Sequence, residues 1–186
     1  MPSYWFKGGA NIKKEHQSAI GKALCLWRDS GWGELVYQGK HIDKYFSDQL
    51  VEASTELVRD WNPQPFPSWV TSVPSSTSPD LVSGFAKRLA YALNLPYQDT
   101  LKKNATLARP QQKEMANNVM QARNVDGSLE ICDVIQHNGS VLLVDDMVNS
   151  AWTFTVAAWL LRNHGVGDVF PFALATSGKT RYDTTN

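Results

Sequence analysis

The sequence predicts an α/β fold: an open, mainly parallel sheet flanked by helices, with a helical hood formed by the N-terminal residues. Three observations support this prediction. Segments with strand and helix patterns alternate from Trp69 onward, which is typical of parallel sheets. The stretch VLLVD (Val141–Asp145) is apolar up to its end, as expected for a strand that is buried on both faces. Residues 141–176 have the pattern strand, loop, helix and strand, which is one βαβ unit.

The first 62 residues are predicted to be a helical segment. Ile20, Leu24 and Trp27 lie at helical spacing, and the glycines of Gly31–Gly33 are expected to end that helix. A second helix is expected over IDKYFSDQLVEASTELVRDW, and the prolines of NPQPFP end it. We expect both helices to pack on the core and cover its ligand site, because so short and apolar a segment does not fold alone. This divides the chain into residues 1–62 and a core of residues 63–186.

The elements of the core follow in chain order. SWVTSV predicts a short strand, SSTSPDLVS a polar loop and GFAKRLAYALNL an amphipathic helix. YQDTL and SLEICDVI are expected to be strands, and RPQQKEMANNVMQAR a polar helix or loop. AWTFTVAAWLLRNHG predicts a helix that ends at Gly165, and VFPFALAT the last strand. The core is therefore expected to hold about five parallel strands with VLLVD in the centre.

Asp145 and Asp146 are the first candidate site residues. Adjacent carboxylates repel each other and resist burial. Open parallel sheets bind ligands beyond the carboxyl ends of their strands, and this pair is expected to lie at such an end. The pair therefore predicts a cation, a pair of sugar hydroxyls or a phosphate group nearby, and simple capping of a helix start is the structural alternative.

The turn that follows predicts an anion site. The first N–H groups of a helix have no internal partners, and together with the helix dipole they attract phosphate. An ordinary βα turn is the alternative. Trp152 is in addition a candidate for stacking on a base. The sequence has no GxxxxGK[ST] and no GxGxxG, which argues against a P-loop and a dinucleotide site. A phosphorylated sugar would suit both features. The candidate phosphate contacts are Asn149, Ser150, Ala151, Trp152 and Thr153.

The stretch Val141–Thr153 resembles the phosphoribosyl-pyrophosphate (PRPP) signature of type I phosphoribosyltransferases, in which an apolar run, two acids and a polar turn precede glycine and threonine. The resemblance implies that Asp145 and Asp146 hold the ribose hydroxyls and, indirectly, Mg²⁺. Asn149 stands where many members carry threonine or aspartate, and Ala151 where glycine is usual. Because an amide cannot accept a proton, Asn149 argues against purine salvage. The resemblance also implies a pyrophosphate loop formed by Ser75, Ser76, Thr77 and Ser78.

Over residues 10–176 the chain most closely resembles the C-terminal phosphoribosyltransferase-like module of some bacterial RecQ-type DNA helicases. GKALCLWRDSGWGELV, LVEASTELVRDW and RPQQKEMANNVMQARNVDG are among the stretches that carry this resemblance. The last of them is also similar to a segment of competence-type phosphoribosyltransferase-like proteins. The resemblance implies a helicase or a DNA 5′ end as partner, and a role in DNA repair. The sequence has no DExH motif, so the helicase motor is absent from it. Candidate anion contacts in this segment are Arg109, Lys113 and Arg123.

Composition excludes other classes of protein. The 18 Lys and Arg residues balance 18 Asp and Glu residues, so no net field attracts polyanions, which argues weakly against non-specific DNA binding and leaves local basic patches open. Cys25 and Cys132 form no CxxC motif, which is typical of thiols in a reducing compartment. No apolar run is long enough to cross a bilayer, and no signal-peptide pattern is present, so we expect a cytoplasmic protein. Four histidines show no metal-ligand spacing and receive no role: His16, His41, His137 and His164.

Three functions are compatible with these patterns. A binding module would sense PRPP or a nucleotide, or hold a 5′-phosphate for a helicase. An active Mg²⁺-dependent phosphoribosyltransferase, with an acceptor that the sequence does not name, is the second. A scaffold that has lost ligand binding is the third. The departures at Asn149 and Ala151 favour the binding module over the enzyme.

Overall fold

Parallel strands form the centre of the computed structural model of this chain, which describes residues 12–75, 77–104 and 128–178. The predicted α/β class with a mainly parallel sheet flanked by helices is confirmed. The elements in chain order are a 3₁₀ turn (Lys14–His16), β1 (Lys22–Leu26), α1 (Trp32–Gln38), a π-helix (Gly39–Asp43), α2 (Asp48–Trp61), β2 (Trp69–Ser72), α3 (Pro79–Leu93), β3 (Leu101–Lys103), β4 (Leu129–Ile131), β5 (Val141–Val148), α4 (Trp152–Asn163) and β6 (Val169–Thr176).

The main sheet has the strand order β1-β6-β5-β2, and its neighbouring strands are all parallel. The strand predicted to be central, β5, lies between β6 and β2, and the side chains of Val141–Val144 have no exposed surface. The last residue of β2, Ser72, is opposite Val144. Because β5 continues to Val148 beside β6, its second half projects beyond the end of β2. This step in the sheet edge opens the site described below.

Helices cover both faces of the main sheet. On one face, Leu142 and Val144 of β5 share a buried apolar cluster with α2 and with Phe85 and Leu89 of α3. On the other face, Val141 and Leu143 pack in a second cluster with residues of α4. Such two-sided burial explains why the first half of β5 is a continuous apolar run in the sequence.

The helix predicted over Ile20, Leu24 and Trp27 is wrong, because Lys22–Leu26 is the edge strand β1. It pairs with β6, and Cys25 lies opposite Ala175. Ile20 is 76% exposed. The first α-helix begins at Trp32, where the predicted helix was expected to end. A few apolar residues at 3–4 spacing fit a short strand as well as a helix. The open edge of β6, whose backbone groups need partners, decided in favour of the strand.

The predicted number of strands was also wrong: the described part of the chain has a main sheet of four strands. The segment YQDTL contributes only a single parallel bridge from Tyr97 to Val70 and the first residue of β3. The segment SLEICDVI contributes the short strand β4, which pairs antiparallel with β3 in a separate sheet. The helix α3 begins at Pro79, inside the predicted polar loop, since proline is favoured in the first turn of a helix.

The N-terminal segment packs against the core. Val36, Phe46 and Leu50 belong to the same buried cluster as residues of β5 and β6. The arginine Arg88 of α3 also contacts the carboxylate of Asp48 at the start of α2. The division at residue 62 stays a prediction, and β1 shows that residues before it complete the main sheet. None of the described helices has the length and apolar character needed to span a lipid bilayer.

Candidate functional site

A cavity of about 430 Å³, which we call the site cavity, opens at the step in the sheet edge. Its floor is formed by β5, one wall by the loop between β2 and α3, and another by the segment from the π-helix to Lys44. Ligand sites of open parallel sheets lie at this edge. The polar residues that line it are Lys40, His41, Lys44, Ser75, Thr77, Ser78, Lys103, Asp145, Asp146 and Thr153.

Asp145 and Asp146 line the site cavity, but they lie within β5, which continues to Val148, and not at its carboxyl end as the sequence predicted. The strand continues because β6 still offers backbone partners, with Asp145 opposite Ala173. One carboxylate oxygen of Asp145 accepts a hydrogen bond from the backbone N–H of Asp146 at 2.8 Å. The Oδ2 atom of Asp146 lies 2.9 Å from Nζ of Lys40.

Asp145 is difficult to ionise in this fold. Burial, followed by repulsion from the carboxylate of Asp146, raises the pKa of Asp145 to about 8. The hydrogen bond from the Asp146 N–H and the charges of Lys40 and Lys103 act in the opposite direction and are weaker. A ligand that donates hydroxyl hydrogen bonds or brings positive charge to this carboxylate would therefore stabilise the ionised form of Asp145.

The turn between β5 and α4 forms a second, smaller cavity of about 110 Å³, which we call the loop pocket. It is lined by residues 147–151 together with Asp145, Thr153 and Phe154. Because Asp145 and Thr153 line both cavities, the two are adjacent. Sequence reasoning had grouped this turn with the aspartates, and the structure brings the two together.

The backbone of this turn explains why the resembling family prefers glycine at one position. Ala151 precedes the first turn of α4 with φ of 60°, in the left-handed region that favours glycine. Its methyl side chain cannot accept a hydrogen bond from the helix start. The side chain of Asn149 is engaged elsewhere, since its Oδ1 atom accepts a hydrogen bond from Oγ of Ser177 at 2.8 Å.

The serine loop after β2 lies against the site cavity. Ser75, Thr77 and Ser78 line it. Oγ of Ser75 accepts the backbone N–H of Ser78 at 3.2 Å and lies 3.4 Å from Oγ1 of Thr77. Hydroxyl groups arranged in this way can donate to anionic oxygens. Ser76, which was grouped with them, lies outside the described residues.

Sequence reasoning missed the basic residues of the site: Lys40, Lys44 and Lys103 line the cavity, and so does His41, which had received no role. The ring centroid of His41 lies 4.9 Å from that of Tyr37 and 5.8 Å from that of Trp27. For Lys40, His41 and Lys44 the sequence signal was the local density of basic residues in GKHIDK, whereas Lys103 lies outside this run, at the end of β3. Such a run usually lies on a solvated surface, and only the π-helix directs it to the sheet edge.

Two groups of candidate residues are not brought to the site. Arg109, Lys113 and Arg123 lie outside the described residues. Trp152 is 6% exposed and is not among the residues that line either cavity. The structure therefore does not support stacking of Trp152 on a base, because this large apolar side chain is buried, where its burial is favourable.

The described side chains of the site do not form a metal centre from protein ligands alone. Among the described residues, no three His, Cys, Asp or Glu side chains are grouped so as to hold a metal ion. Mg²⁺ is commonly held by one or two carboxylates with water and ligand oxygens. Asp145 and Asp146 supply two carboxylates, but Lys40 already contacts Asp146, so the ammonium group and a cation would compete for the same oxygen.

No protein-family model and no curated protein sequence matches this chain. Among solved structures it is similar to a purine phosphoribosyltransferase from Pyrococcus horikoshii Ot3, with 17% identity, a TM-score of 0.47 and coverage of 74% of this chain and 80% of that one. It is also similar to adenine phosphoribosyltransferase from Leishmania tarentolae, with 13% identity, a TM-score of 0.48 and coverage of 89% and 96%. A third is orotate phosphoribosyltransferase from Aeropyrum pernix, with 18% identity, a TM-score of 0.43 and coverage of 72% and 63%. At these identities and TM-scores, the likeness carries no conclusion about the ligand or reaction of this chain.

Proposed function

We propose that this chain binds a phosphorylated ribose ligand in the site cavity: PRPP, a nucleotide or the 5′-phosphate of a DNA end. The observation that carries the proposal is one cavity of about 430 Å³ that is lined by carboxylates, by hydroxyls and by lysines at a sheet edge. Its volume is within the range of about 300–1,000 Å³ found for small-molecule sites.

The two ends of such a ligand match the two parts of the site. Sugar hydroxyls donate to carboxylates, and Asp145 and Asp146 offer acceptors on the floor of the cavity. A phosphate group suits the adjacent loop pocket, where α4 begins and Thr153 adds a hydroxyl. The serine loop, with Ser75 and Thr77, offers donors for further phosphate oxygens on the opposite wall.

The charge of the site cavity also favours an anionic ligand. Lys40, Lys44 and Lys103 line it together with two aspartates, one of which resists ionisation. The lysine charges therefore outweigh those of the carboxylates near neutral pH. A partly enclosed cavity of one sign concentrates ligands of the opposite sign. Neutral sugars lack this attraction.

The binding module is better supported than the active transferase. The side chain at position 149 is an amide whose oxygen accepts a hydrogen bond from Ser177, so it offers no carboxylate to act as a proton acceptor. A Mg²⁺-dependent phosphoribosyltransferase with an unidentified acceptor is the second candidate. A scaffold without ligand binding is the third, and the polar cavity argues against it.

In its more specific form, the proposal is that this chain assists a RecQ-type helicase in DNA repair. It rests on the sequence resemblance over residues 10–176. If the ligand is a DNA end, an oligonucleotide with a 5′-phosphate should bind more tightly than the same strand with a 5′-hydroxyl. Equal binding of the two strands would argue against the DNA-end form and leave PRPP or a free nucleotide as the ligand.

A thermal melt with ribose 5-phosphate tests the central proposal. At about 100 times the dissociation constant, binding should raise the melting temperature by about 5–10 °C for a chain of this size. Ribose and inorganic phosphate, each supplied alone, should have much smaller effects. The double variant Ser75→Ala with Thr77→Val should reduce the shift. Ser83→Ala on α3 is the matched control, because the Ser83 hydroxyl donates to the carbonyl of Pro79 and Ser83 is not among the described residues that line the cavity. No shift with ribose 5-phosphate, PRPP or AMP would contradict the proposal.

A further inference from the structure

We propose that Lys40 supplies the positive charge beside Asp145 and Asp146 from within the protein, so that phosphorylated ribose binds without Mg²⁺. This inference rests on the proposed function. It departs from the sequence resemblance, which implies that Mg²⁺ accompanies the ligand. Its basis is the position of the Lys40 ammonium group in the site cavity.

The contact between Lys40 and Asp146 is close and shielded. Nζ and Oδ2 are 2.9 Å apart, and the two side chains are 30% and 15% exposed. Exposed ion pairs contribute little because water screens them, but a shielded charge that loses its partner is left at a cost. The ammonium group is therefore expected to stay with this carboxylate, in the region that a hydrated Mg²⁺ would have to enter.

The backbone that carries Lys40 is held in place. It belongs to the π-helix, and its carbonyl oxygen accepts a hydrogen bond from Nζ of Lys44 at 2.9 Å. The preceding residue, Gly39, lies so close to Tyr45 and Phe46 that a Cβ atom would come within 2.8 Å of both. Nζ of Lys40 also lies 5.8 Å from the ring centroid of Trp27, within the range of a cation–π contact.

The chemistry of an ammonium group suits this place. The lysine ammonium group has three N–H donors, and the contact with Asp146 engages one of them. The remaining donors can serve phosphate or hydroxyl oxygens of a ligand in the cavity. A Mg²⁺ ion at the same carboxylates would meet the repulsion of Lys40, and among the described residues no third His, Cys, Asp or Glu side chain is grouped with the two aspartates so as to hold a metal ion. A resident lysine thus performs the charge compensation for which the resembling family employs a metal.

Calorimetric titration with ribose 5-phosphate tests this, in buffer with EDTA and in buffer with excess Mg²⁺. The wild-type protein should bind equally in both. Lys40→Met should weaken binding in EDTA roughly tenfold or more, as expected for the loss of a charged hydrogen bond, and Mg²⁺ should restore part of it. Lys40→Arg should keep metal-independent binding. The matched control is Lys103→Met, which removes another cavity lysine and should weaken binding to the same extent in both buffers.

Mn²⁺ electron paramagnetic resonance gives a second readout that needs no sugar ligand. The wild-type protein should not bind Mn²⁺ at the aspartates, whereas Lys40→Met should, and the further change Asp146→Asn should abolish that binding. If the wild-type protein bound ribose 5-phosphate only in the presence of Mg²⁺, the inference would fail but the proposed function would stand. A loss in Lys40→Met that Mg²⁺ does not reduce would overturn the inference as well. Absence of binding in both buffers would overturn the proposed function together with the inference.

Discussion

Asp145 costs stability in the ligand-free protein because its carboxyl group is shielded from water and lies beside a second carboxylate. An ordinary aspartate has a pKa of 3.8, and in this fold that of Asp145 is about 8. Well below pH 3.8 the group is protonated in both the folded and the unfolded chain and has no effect. Between pH 4 and 8 the unfolded chain releases the proton and the folded chain keeps it, so the free energy of unfolding falls as pH rises.

Asp145→Asn should therefore stabilise the protein in a pH-dependent way. We expect melting temperatures within a degree or so of wild type at pH 4, and a gain of at least about 4–8 °C at pH 9, which corresponds to about 2 kcal/mol or more for a chain of this size. Asp146→Asn should gain less, because it removes the repulsion but also the ion pair with Lys40. Melting curves across this pH range check it. A lower melting temperature of Asp145→Asn at pH 9 would show that the carboxylate is a structural cap.

The π-helix is the element that gives the site its basic wall. Helical turns of this type often occur at functional sites, because the extra residue in the turn redirects side chains. Here it follows α1 directly and presents Lys40 and His41 to the site cavity. The π-helix begins at Gly39, which has no side chain that would clash with Tyr45 and Phe46.

Gly39→Ala should disrupt this element. The added Cβ atom would lie 2.8 Å from a ring carbon of Phe46 and 2.8 Å from the carbonyl oxygen of Tyr45. Overpacking of this kind costs about 1–3 kcal/mol, so we expect a fall in the melting temperature of several degrees and weaker binding of ribose 5-phosphate. Gly84→Ala on α3 is the matched control: its Cβ would meet nothing within 4 Å, and alanine favours helices. It should melt at or slightly above the wild-type temperature. Two variants of equal stability would contradict the role of Gly39.

At the scale of the whole molecule, the described part of the N-terminal segment contributes to the main sheet and to its buried core. It supplies the edge strand β1 and covers one face of the sheet with α2. Fully buried side chains from this segment include Val36, Leu50 and Val58. Each such side chain contributes about 1.5–3 kcal/mol through burial, and the loss of several approaches the total stability of a typical domain.

A truncated chain that begins at Ser68 should therefore fail to fold cooperatively. It would expose the edge of β6 together with the apolar faces of α3 and of the sheet, which favours aggregation. Size-exclusion chromatography and thermal melts of the truncated and full chains check this. If the truncated chain were monodisperse and melted at the same temperature, the core would be independent of the first 67 residues, and the N-terminal segment would act only as a cover of the site.

The sequence by itself determined the features that depend on local pattern. The apolar run Val141–Val144 predicted a strand buried on both faces, and the patterns of VFPFALAT and of α4 predicted the βαβ unit around it. From these patterns we predicted the parallel sheet, its central strand and the grouping of Asp145 with the turn before α4. The physical reason is that the periodicity of apolar residues, which indicates the element type and its buried face, can be read from consecutive residues.

Only the tertiary structure decided the features that depend on partners distant in sequence. Lys22–Leu26 became a strand because β6 offered an open edge, and not because of its own pattern. Lys40 contacts Asp146, 106 positions away in sequence, because the π-helix and β5 line the same cavity once the chain has folded. Local periodicity contains no information about such contacts, since backbone pairing and charge compensation are set by which surfaces meet once the core has packed.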